Sequence, residues 1–224
     1  MDPWRRFRTQ VVGQHPFRFR IVITALVIAS SLFALCLACL FYPAARARYL
    51  FNQVESLQLG RSTYEDAEAL AQKIGATSYP PYGPCSRSDC EWSLRIDNAE
   101  LPRWWRGAGE SFGVAFDVKD SKVVRKTFGY GVGILNDGFF PSSVGLTELE
   151  HWPRQHRPVL VEAGWYSTDL YPYWDFRVSM IPGASAQDRR RYSAYDYGCM
   201  WKYRGCKDGR ELLPVAASMP PSRP

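Results

Sequence analysis

The most pronounced hydropathy feature of the chain is an apolar run close to its first residue. The segment Ile21–Tyr42 contains no aspartate, glutamate, lysine or arginine. As an α-helix this segment is about 33 Å long at 1.5 Å per residue, and a bilayer core is roughly 30 Å thick. We therefore predict that Ile21–Tyr42 is a transmembrane helix.

Positive charge is distributed unevenly around this segment and predicts its orientation. Five arginines precede it: Arg5, Arg6, Arg8, Arg18 and Arg20. Three follow it closely: Arg46, Arg48 and Arg61. Because the flank richer in lysine and arginine stays in the cytoplasm, we predict a single-pass protein of the cell membrane with a cytoplasmic N-terminus and a translocated remainder.

Two alternatives for this N-terminal region stay open. Ala45-Arg46-Ala47 has the small-x-small form of a signal-peptide cleavage site, and Cys39 has the position of a lipidated cysteine. The apolar region of a signal peptide, however, is only about 7–15 residues long, which is shorter than the segment here. We favour an uncleaved signal-anchor.

Helical periodicity follows at Leu57–Ala76. Ser62 and Glu65 have the spacing of a capping box, and Gly75 suits the left-handed residue that ends a helix. Apolar residues recur at the i, i+3, i+4 and i+7 spacing of one helix face: Ala67, Leu70, Ala71 and Ile74. The pattern predicts a short helix that packs on a larger element.

After this helix the periodicity changes from 3.6 to 2, which indicates β-strands. Apolar and polar residues alternate along Trp92–Asp97, Phe112–Lys119 and Val124–Tyr130. Because only a short turn at Asp120-Ser121 separates the last two segments, we predict that they form an antiparallel hairpin.

The segments after Tyr130 complete the predicted fold. Gly131–Val144 is glycine-rich and is interpreted as a loop, whereas Val159–Tyr166 and Trp174–Pro182 are predicted to be strands. A short helix is predicted at Ala184–Tyr192. The elements together predict an α+β fold: an N-terminal transmembrane helix followed by an antiparallel sheet domain with one or two short packing helices.

The predicted organisation has five parts. A basic cytoplasmic tail (1–20), the transmembrane helix (21–42) and a juxtamembrane segment (43–56) precede an extracytoplasmic α+β domain (57–213). The last residues (214–224) are rich in proline and lack an apolar pattern, so we predict a disordered tail.

The Leu-x-Leu-Gly-x-Ser-Thr sequence of residues 57–63, the glycine-terminated helix and the strand meander resemble BamE/SmpA-type small outer-membrane lipoproteins. The resemblance covers residues 57–130. It implies a non-catalytic role as a partner in outer-membrane protein assembly. The chain differs from those lipoproteins in its long anchor, its cysteine loop in place of a second helix, and its large C-terminal part. The Gly-Cys-Lys-Asp…Leu-Leu-Pro element of residues 205–214 resembles that of uncharacterised bacterial membrane-anchored proteins, to which no activity is attached.

Six cysteines divide into two groups. Cys36 and Cys39 lie in the apolar segment and are interpreted as small apolar residues of the helix. The other four form two pairs that are local in sequence: Cys85 with Cys90, and Cys199 with Cys206. An even number in a translocated domain favours disulfides, with local pairing preferred among the three connectivities. A four-thiolate zinc site is the alternative, although both spacings are longer than the usual C-x2-C.

Net charge alone suggests a nucleic-acid-binding protein, because the formal net charge is +6 and the pI is about 9.0. Most of this excess, however, belongs to the arginines of the N-terminal tail. The remaining chain carries acidic and basic residues in nearly equal number, which does not suit neutralisation of phosphates. We therefore predict no nucleic-acid partner. A hydrophobic content of 46% excludes a wholly disordered chain.

Candidate catalytic and metal-binding residues are few. His151 and His156 lie near Glu148 and Glu150, but their spacing is not that of His-Glu-x-x-His zinc proteins. The sequence contains neither a Gly-x-Ser-x-Gly nucleophile motif nor a phosphate-binding loop. Four aspartates are interpreted as turn or outward strand residues: Asp117, Asp120, Asp169 and Asp175. We predict no catalytic residue, no metal and no cofactor.

Adjacent tryptophans and arginines are the strongest candidate for a binding surface. Arg103, Trp104, Trp105 and Arg106 are consecutive, and neighbouring residues point in different directions in a helix or a strand. One of the two indoles is therefore hard to bury, and tryptophan and arginine often anchor interfaces. We predict a domain that binds or scaffolds a protein or glycan of the cell envelope. The alternatives are an envelope enzyme such as a glycan hydrolase, and a lipid-anchored outer-membrane assembly factor.

Overall fold

The computed structural model of the protein describes seven parts of the chain: residues 16–78, 85–97, 110–133, 142–151, 158–167, 172–201 and 205–218. The chain divides into two units, Met1–Tyr42 and Pro43–Pro224. The described residues of the second unit form an α+β fold around one mixed sheet of seven strands.

The first helix, α1 (Pro16–Glu55), contains the apolar segment predicted from the sequence. Large apolar side chains along this segment are exposed: Phe33 by 66% and Leu26 by 61%, for example. Within the described residues, α1 is the one helix that is long and apolar enough to cross a membrane. Its length and composition agree with the predicted spanning helix.

Beyond Tyr42, α1 continues to Glu55 through the segment that was predicted to be merely juxtamembrane. Residues spaced three or four apart on this part of the helix are fully buried: Ala44, Ala47, Leu50 and Val54. They form part of the core, so the folded unit begins at Pro43 rather than at residue 57.

The second helix, α2 (Tyr64–Ile74), buries the four apolar residues that the sequence pattern selected and ends at Gly75, whose φ is 77°. Its capping box was predicted one residue too early. Thr63 is the N-cap, because its hydroxyl accepts from the Asp66 amide while the Asp66 carboxylate accepts from the Thr63 amide. Thr63 is held in extended conformation and pairs with Lys122, so the helix begins after it.

Seven strands follow in the described residues: β1 (Thr77–Ser78), β2 (Asp89–Asp97), β3 (Glu110–Lys119), β4 (Lys122–Val132), β5 (Ser142–Leu149), β6 (Val159–Ser167) and β7 (Pro172–Met180). Their order in the sheet is β1-β2-β3-β4-β5-β7-β6. All neighbours are antiparallel except β5 and β7, which are parallel. The sheet is therefore mixed, because the β6–β7 hairpin places β6 at the edge and β7 beside β5.

Strand β5 corrects the interpretation of Gly131–Val144 as a loop. Strand β4 extends to Val132, and β5 begins at Ser142. Val144 and Leu146 are buried, whereas the alternate residues of β5 are half-buried. Because the outward residues of β5 are small, the hydropathy pattern did not reveal this alternating strand.

The core lies on one face of the sheet. Large side chains that are fully buried there include Phe112, Phe116, Phe128, Trp174 and Phe176. The C-terminal part of the chain contributes helix α3 (Ala186–Ser193), a 3-10 helix (Tyr197–Trp201), and the short helices α4 (Gly209–Leu212) and α5 (Pro214–Ala217).

Helix α5 contradicts the prediction that the chain is disordered from residue 214 onward. Pro214 occupies the first turn, where its missing N–H costs no hydrogen bond, and Ala216 is fully buried. One buried alanine in a proline-rich segment gives little hydropathy signal. Residues 219–224 lie outside the described part of the chain.

Both predicted cysteine pairs lie at disulfide distance. The Cα atoms of Cys85 and Cys90 are 4.6 Å apart, and those of Cys199 and Cys206 are 4.7 Å apart. The second bridge joins the 3-10 helix to the segment that leads into α4, and Cys206 is fully buried. The cysteines are therefore paired locally, which is the connectivity preferred in the sequence analysis.

Candidate functional site

Outward residues of the central strands are small, and the strand register aligns them. One residue from each of five neighbouring strands lies in a row that crosses the sheet: Arg95, Gly113, Gly129, Gly145 and Arg177. Three glycines thus lie side by side on β3, β4 and β5, with one arginine beyond each end. At about 4.8 Å between neighbouring strands, the two arginine Cα atoms are about 19 Å apart.

Small and mostly hydroxyl-bearing residues flank this row on both sides. One flanking row contains Ser93, Ala115, Thr127 and Thr147, and the other contains Ser111, Gly131 and Ser143. We call the depression between these two rows, with the three aligned glycines as its floor, the glycine trough. It forms an open cavity of about 560 Å³. Ligand pockets have volumes of about 300–1,000 Å³, so the glycine trough has the size of a binding site.

The fold itself does not require glycine on the floor of the trough. A Cβ atom on Gly129 would meet no atom of the described residues within 4 Å. A Cβ atom on Gly113 or Gly145 would lie 3.8 or 3.7 Å from a carbonyl oxygen, which is an ordinary contact. None of the three has a left-handed φ. Glycine within a strand costs roughly 0.5–1 kcal/mol relative to alanine, and its use at these three positions leaves the backbone open to close approach.

An oriented carboxylate lies at one end of the trough. Asp175 is only 6% exposed, and its Oδ1 accepts a hydrogen bond of 2.6 Å from the Ser143 hydroxyl. Its Oδ2 lies 2.6 Å from Nε of Arg177, whose side chain is 67% exposed. The Arg177 stem passes beside Gly145, with Cγ 4.0 Å from the Cβ position of that glycine. Asp175 is therefore held in place, and the Arg177 guanidinium faces solvent beside the trough.

Formal charges around the trough nearly cancel. Asp175 neutralises Arg177, and Glu162 is the register partner of Arg177 on β6. Both carboxylates lie at the Arg177 end of the trough, about 19–24 Å from Arg95 at the usual strand spacing. A site that attracts polyanions concentrates positive charge, and the trough does not.

A second ion group lies on the same face, one row further along the strands. Arg125 Nη2 is 2.6 Å from Asp117 Oδ2 and 3.5 Å from Glu91 Oε2. Burial raises the pKa of Asp117, and the neighbouring Arg125 opposes this shift. This group pairs its own charges and bounds the trough on that side.

The opposite, core-facing side of the same strands carries a buried ion cluster. Lys126 Nζ is 2.8 Å from Glu148 Oε2 and 3.4 Å from Glu55 Oε2, while Glu148 Oε1 is 3.0 Å from Arg189. Burial raises the pKa of Glu55, although Lys126 counteracts it. The cluster connects the end of α1 and helix α3 to β4 and β5, and it thereby fixes the strands that carry the trough.

The predicted binding residues Arg103, Trp104, Trp105 and Arg106 lie outside the described part of the chain. The same holds for His156 and Asp169. The structure therefore does not bring these residues into the trough or place them elsewhere. Apart from Asp175, the residues that form the glycine trough were not selected in the sequence analysis.

The histidine and acidic residues considered as metal ligands do not form a cluster. Glu148 belongs to the buried ion cluster, whereas the His151 side chain is 87% exposed and lies 3.8 Å from Glu150. Among the described residues, no group of three or more histidine, cysteine, aspartate or glutamate side chains is arranged to hold a metal ion.

The sequence contains the glycines of the trough, but only the strand register shows that they are aligned. Gly113 lies seven residues before the Asp120-Ser121 turn and Gly129 lies eight residues after it. The β-bulge between Asp117 and Val118 accounts for the extra residue and brings the two glycines opposite each other.

Asp175 is the single carboxylate among the described residues that line the trough. Glycosidases generally use two carboxyl groups, about 5–9.5 Å apart, on either side of the scissile bond. The described lining supplies one such group.

Comparison with known proteins adds no assignment to this site. No family model matches the chain, and neither a curated protein nor a solved structure matches it. The functional conclusion therefore rests on the chemistry of the glycine trough.

Proposed function

We propose that the protein is a single-pass membrane protein whose extracytoplasmic sheet domain binds another component of the cell envelope without catalysing a reaction. The glycine trough supports this proposal most strongly. Its three aligned glycines are not needed by the fold, and its open cavity of about 560 Å³ is of ligand size. The spanning helix α1 would keep this binding surface at the membrane.

The membrane placement rests on α1 and on the charges around it. Five arginines before the apolar segment and three after it favour a cytoplasmic N-terminus, with α1 acting as a signal-anchor. Two cysteine pairs at disulfide distance suit an oxidising compartment outside the cytoplasm. Alkaline phosphatase fused to the C-terminus should be active in intact cells, and an inactive fusion of normal abundance would contradict this topology.

The non-catalytic role rests on the lining of the trough. One oriented carboxylate, Asp175, can accept hydrogen bonds from a ligand, but glycoside cleavage needs a second carboxyl group across the bond. The resemblance of residues 57–130 to BamE/SmpA-type lipoproteins agrees with a binding role, because those proteins act as non-catalytic partners. We propose a similar kind of role here, with the trough as the contact surface.

The proposal is tested by photocrosslinking from the trough in intact cells. A photoreactive phenylalanine analogue replaces Arg95 at one end of the trough in the full chain. The same analogue at Lys73, an exposed residue of α2, is the matched control. We expect an ultraviolet-dependent adduct from position 95, detected as a mass shift, and none from position 73. The absence of an adduct at position 95, with the variant at normal abundance, would overturn the proposal.

A further inference from the structure

Most residues of the two walls of the glycine trough carry a hydroxyl group. Ser93, Thr127 and Thr147 provide hydroxyls on one side, where Ala115 interrupts the row. On the other side Ser111 is only 5% exposed, and the Ser143 hydroxyl donates to Asp175. A hydroxyl can both donate and accept a hydrogen bond, so a wall rich in hydroxyls matches a ligand that itself carries many hydroxyls.

The floor of the trough crosses the strands. Gly113, Gly129 and Gly145 have no side chains, and they lie in register on three neighbouring strands. Strands are about 4.8 Å apart, and residues four apart along one strand are about 14 Å apart, which sets the separation of the two wall rows. The trough therefore has room for an extended chain that lies across the strands, about 19 Å from Arg95 to Arg177.

The polar groups at the end of the trough have the chemistry of sugar recognition. Asp175 is held by Ser143 and Arg177, so its carboxylate can accept hydrogen bonds from ligand hydroxyls without reorienting. The exposed guanidinium of Arg177 can donate to ligand oxygens.

Two other classes of ligand fit less well. Arg95 and Arg177 lie at opposite ends of the trough, and Asp175 and Glu162 lie beside Arg177, so a polyanion gains little from electrostatic attraction. The rows that form the trough contain no aromatic or long aliphatic side chain. Protein interfaces usually depend on such residues as anchors.

From these observations we infer that the glycine trough binds a neutral glycan, as an extended chain of β-1,4-linked pyranose units lying across the strands. The inference rests on the proposed binding function and names the ligand class of the same site. Equatorial β-1,4 linkages give an extended chain that can lie along the row of three glycines, whereas α-1,4 linkages give a coiled chain.

The inference is tested by titrating the full chain in lipid nanodiscs with soluble tetrasaccharides. Cellotetraose and chitotetraose represent the β-1,4-linked class, and maltotetraose is the α-linked control. We expect at least one β-linked probe to bind by calorimetry and maltotetraose to bind at least tenfold more weakly. Gly129→Val, which fills the floor, should weaken binding at least tenfold. Gly183→Val should leave binding unchanged, because Gly183 lies in an exposed turn with open space around it.

Each contrary result has a distinct meaning. If neither β-linked probe binds at millimolar concentration while position 95 still gives its adduct in cells, the glycan inference is wrong and the binding function stands. If maltotetraose binds equally well, or if Gly129→Val binds like the natural chain, the assignment of an extended β-1,4-linked chain to the trough is wrong. If probes and adduct both fail, the proposed function falls as well.

Discussion

Replacing Gly129 by valine tests whether this glycine serves the stability of the fold or the binding of a ligand. Gly129 lies on the central strand of the trough, and an added Cβ would meet no described atom within 4 Å. Its φ is not left-handed, so a β-branched residue can adopt the backbone conformation. If the glycine serves a ligand and not the fold, Gly129→Val should stabilise the protein while it abolishes binding.

The size of the effect follows from strand energetics. Glycine in a strand costs roughly 0.5–1 kcal/mol relative to alanine, and strand preferences span about 1 kcal/mol in favour of β-branched residues. We expect Gly129→Val to raise the free energy of unfolding by about 1 kcal/mol. For a folded unit of this size that change corresponds to a rise in Tm of about 2–4 °C.

Thermal unfolding of the full chain in detergent measures this shift. Gly183→Val is the control, since it makes the same substitution away from the trough and should change stability by no more than about 0.5 kcal/mol. A Gly129→Val protein that is destabilised by about 1 kcal/mol or more would refute the reasoning. Such a result would show that a part of the chain itself fills the trough and needs the space.

Three further results are expected. Gly205→Ala should destabilise the protein by at least about 1–2 kcal/mol in denaturant titrations, because Gly205 has a φ of 66° and its Cβ would collide with the Glu110 carboxylate; unchanged stability would contradict this packing. Asp208 is partly buried, which disfavours its charged form, but hydrogen bonds from Arg210 outweigh this and lower its pKa. The ionised carboxylate therefore stabilises the fold above its ordinary pKa of about 3.9, and this stabilisation is lost as the pH falls. The Tm of Asp208→Asn should be lower than that of the natural chain at pH 7 and approach it in acid. A Tm difference that does not change with pH would argue against this. Replacing Cys199 and Cys206 together by serine should lower the free energy of unfolding by about 2–4 kcal/mol in the same denaturant titration, and an unchanged free energy would show that this pair is not bridged.

Elements with a strong local period were predictable from the sequence. The spacing of Ala67, Leu70, Ala71 and Ile74 identifies the buried face of helix α2, and buried residues alternate along the middle of β3 and β4, away from the β-bulge beside their turn. Local periodicity reports which side of an element is buried, and it does so before any partner is known.

Features that depend on distant partners were not predictable in the same way. Strand β5 alternates, but its outward Ser143, Gly145 and Thr147 resemble a loop because small residues carry little hydropathy contrast. The parallel pairing of β5 with β7 depends on where the β6–β7 hairpin lies, and no local pattern encodes that. The capping residue differed by one position because Thr63 pairs with Lys122 across the fold.

The candidate site illustrates the same limit. Each of Gly113, Gly129 and Gly145 is unremarkable alone, since glycine occurs in many strands and loops. Their meaning comes from register: pairing across β3, β4 and β5 converts three separate glycines into one floor. Asp175 was visible as an outward strand residue, but its contacts with Ser143 and Arg177 needed the folded sheet.

The central claim is that the glycine trough is the surface through which the sheet domain holds its ligand. The most direct test is the yield of the photocrosslinked adduct from position 95 in intact cells, compared between Gly129→Val and Gly183→Val backgrounds of equal abundance. We predict that the adduct disappears in the Gly129→Val background and persists in the Gly183→Val background. An adduct of equal yield in both backgrounds would contradict the claim.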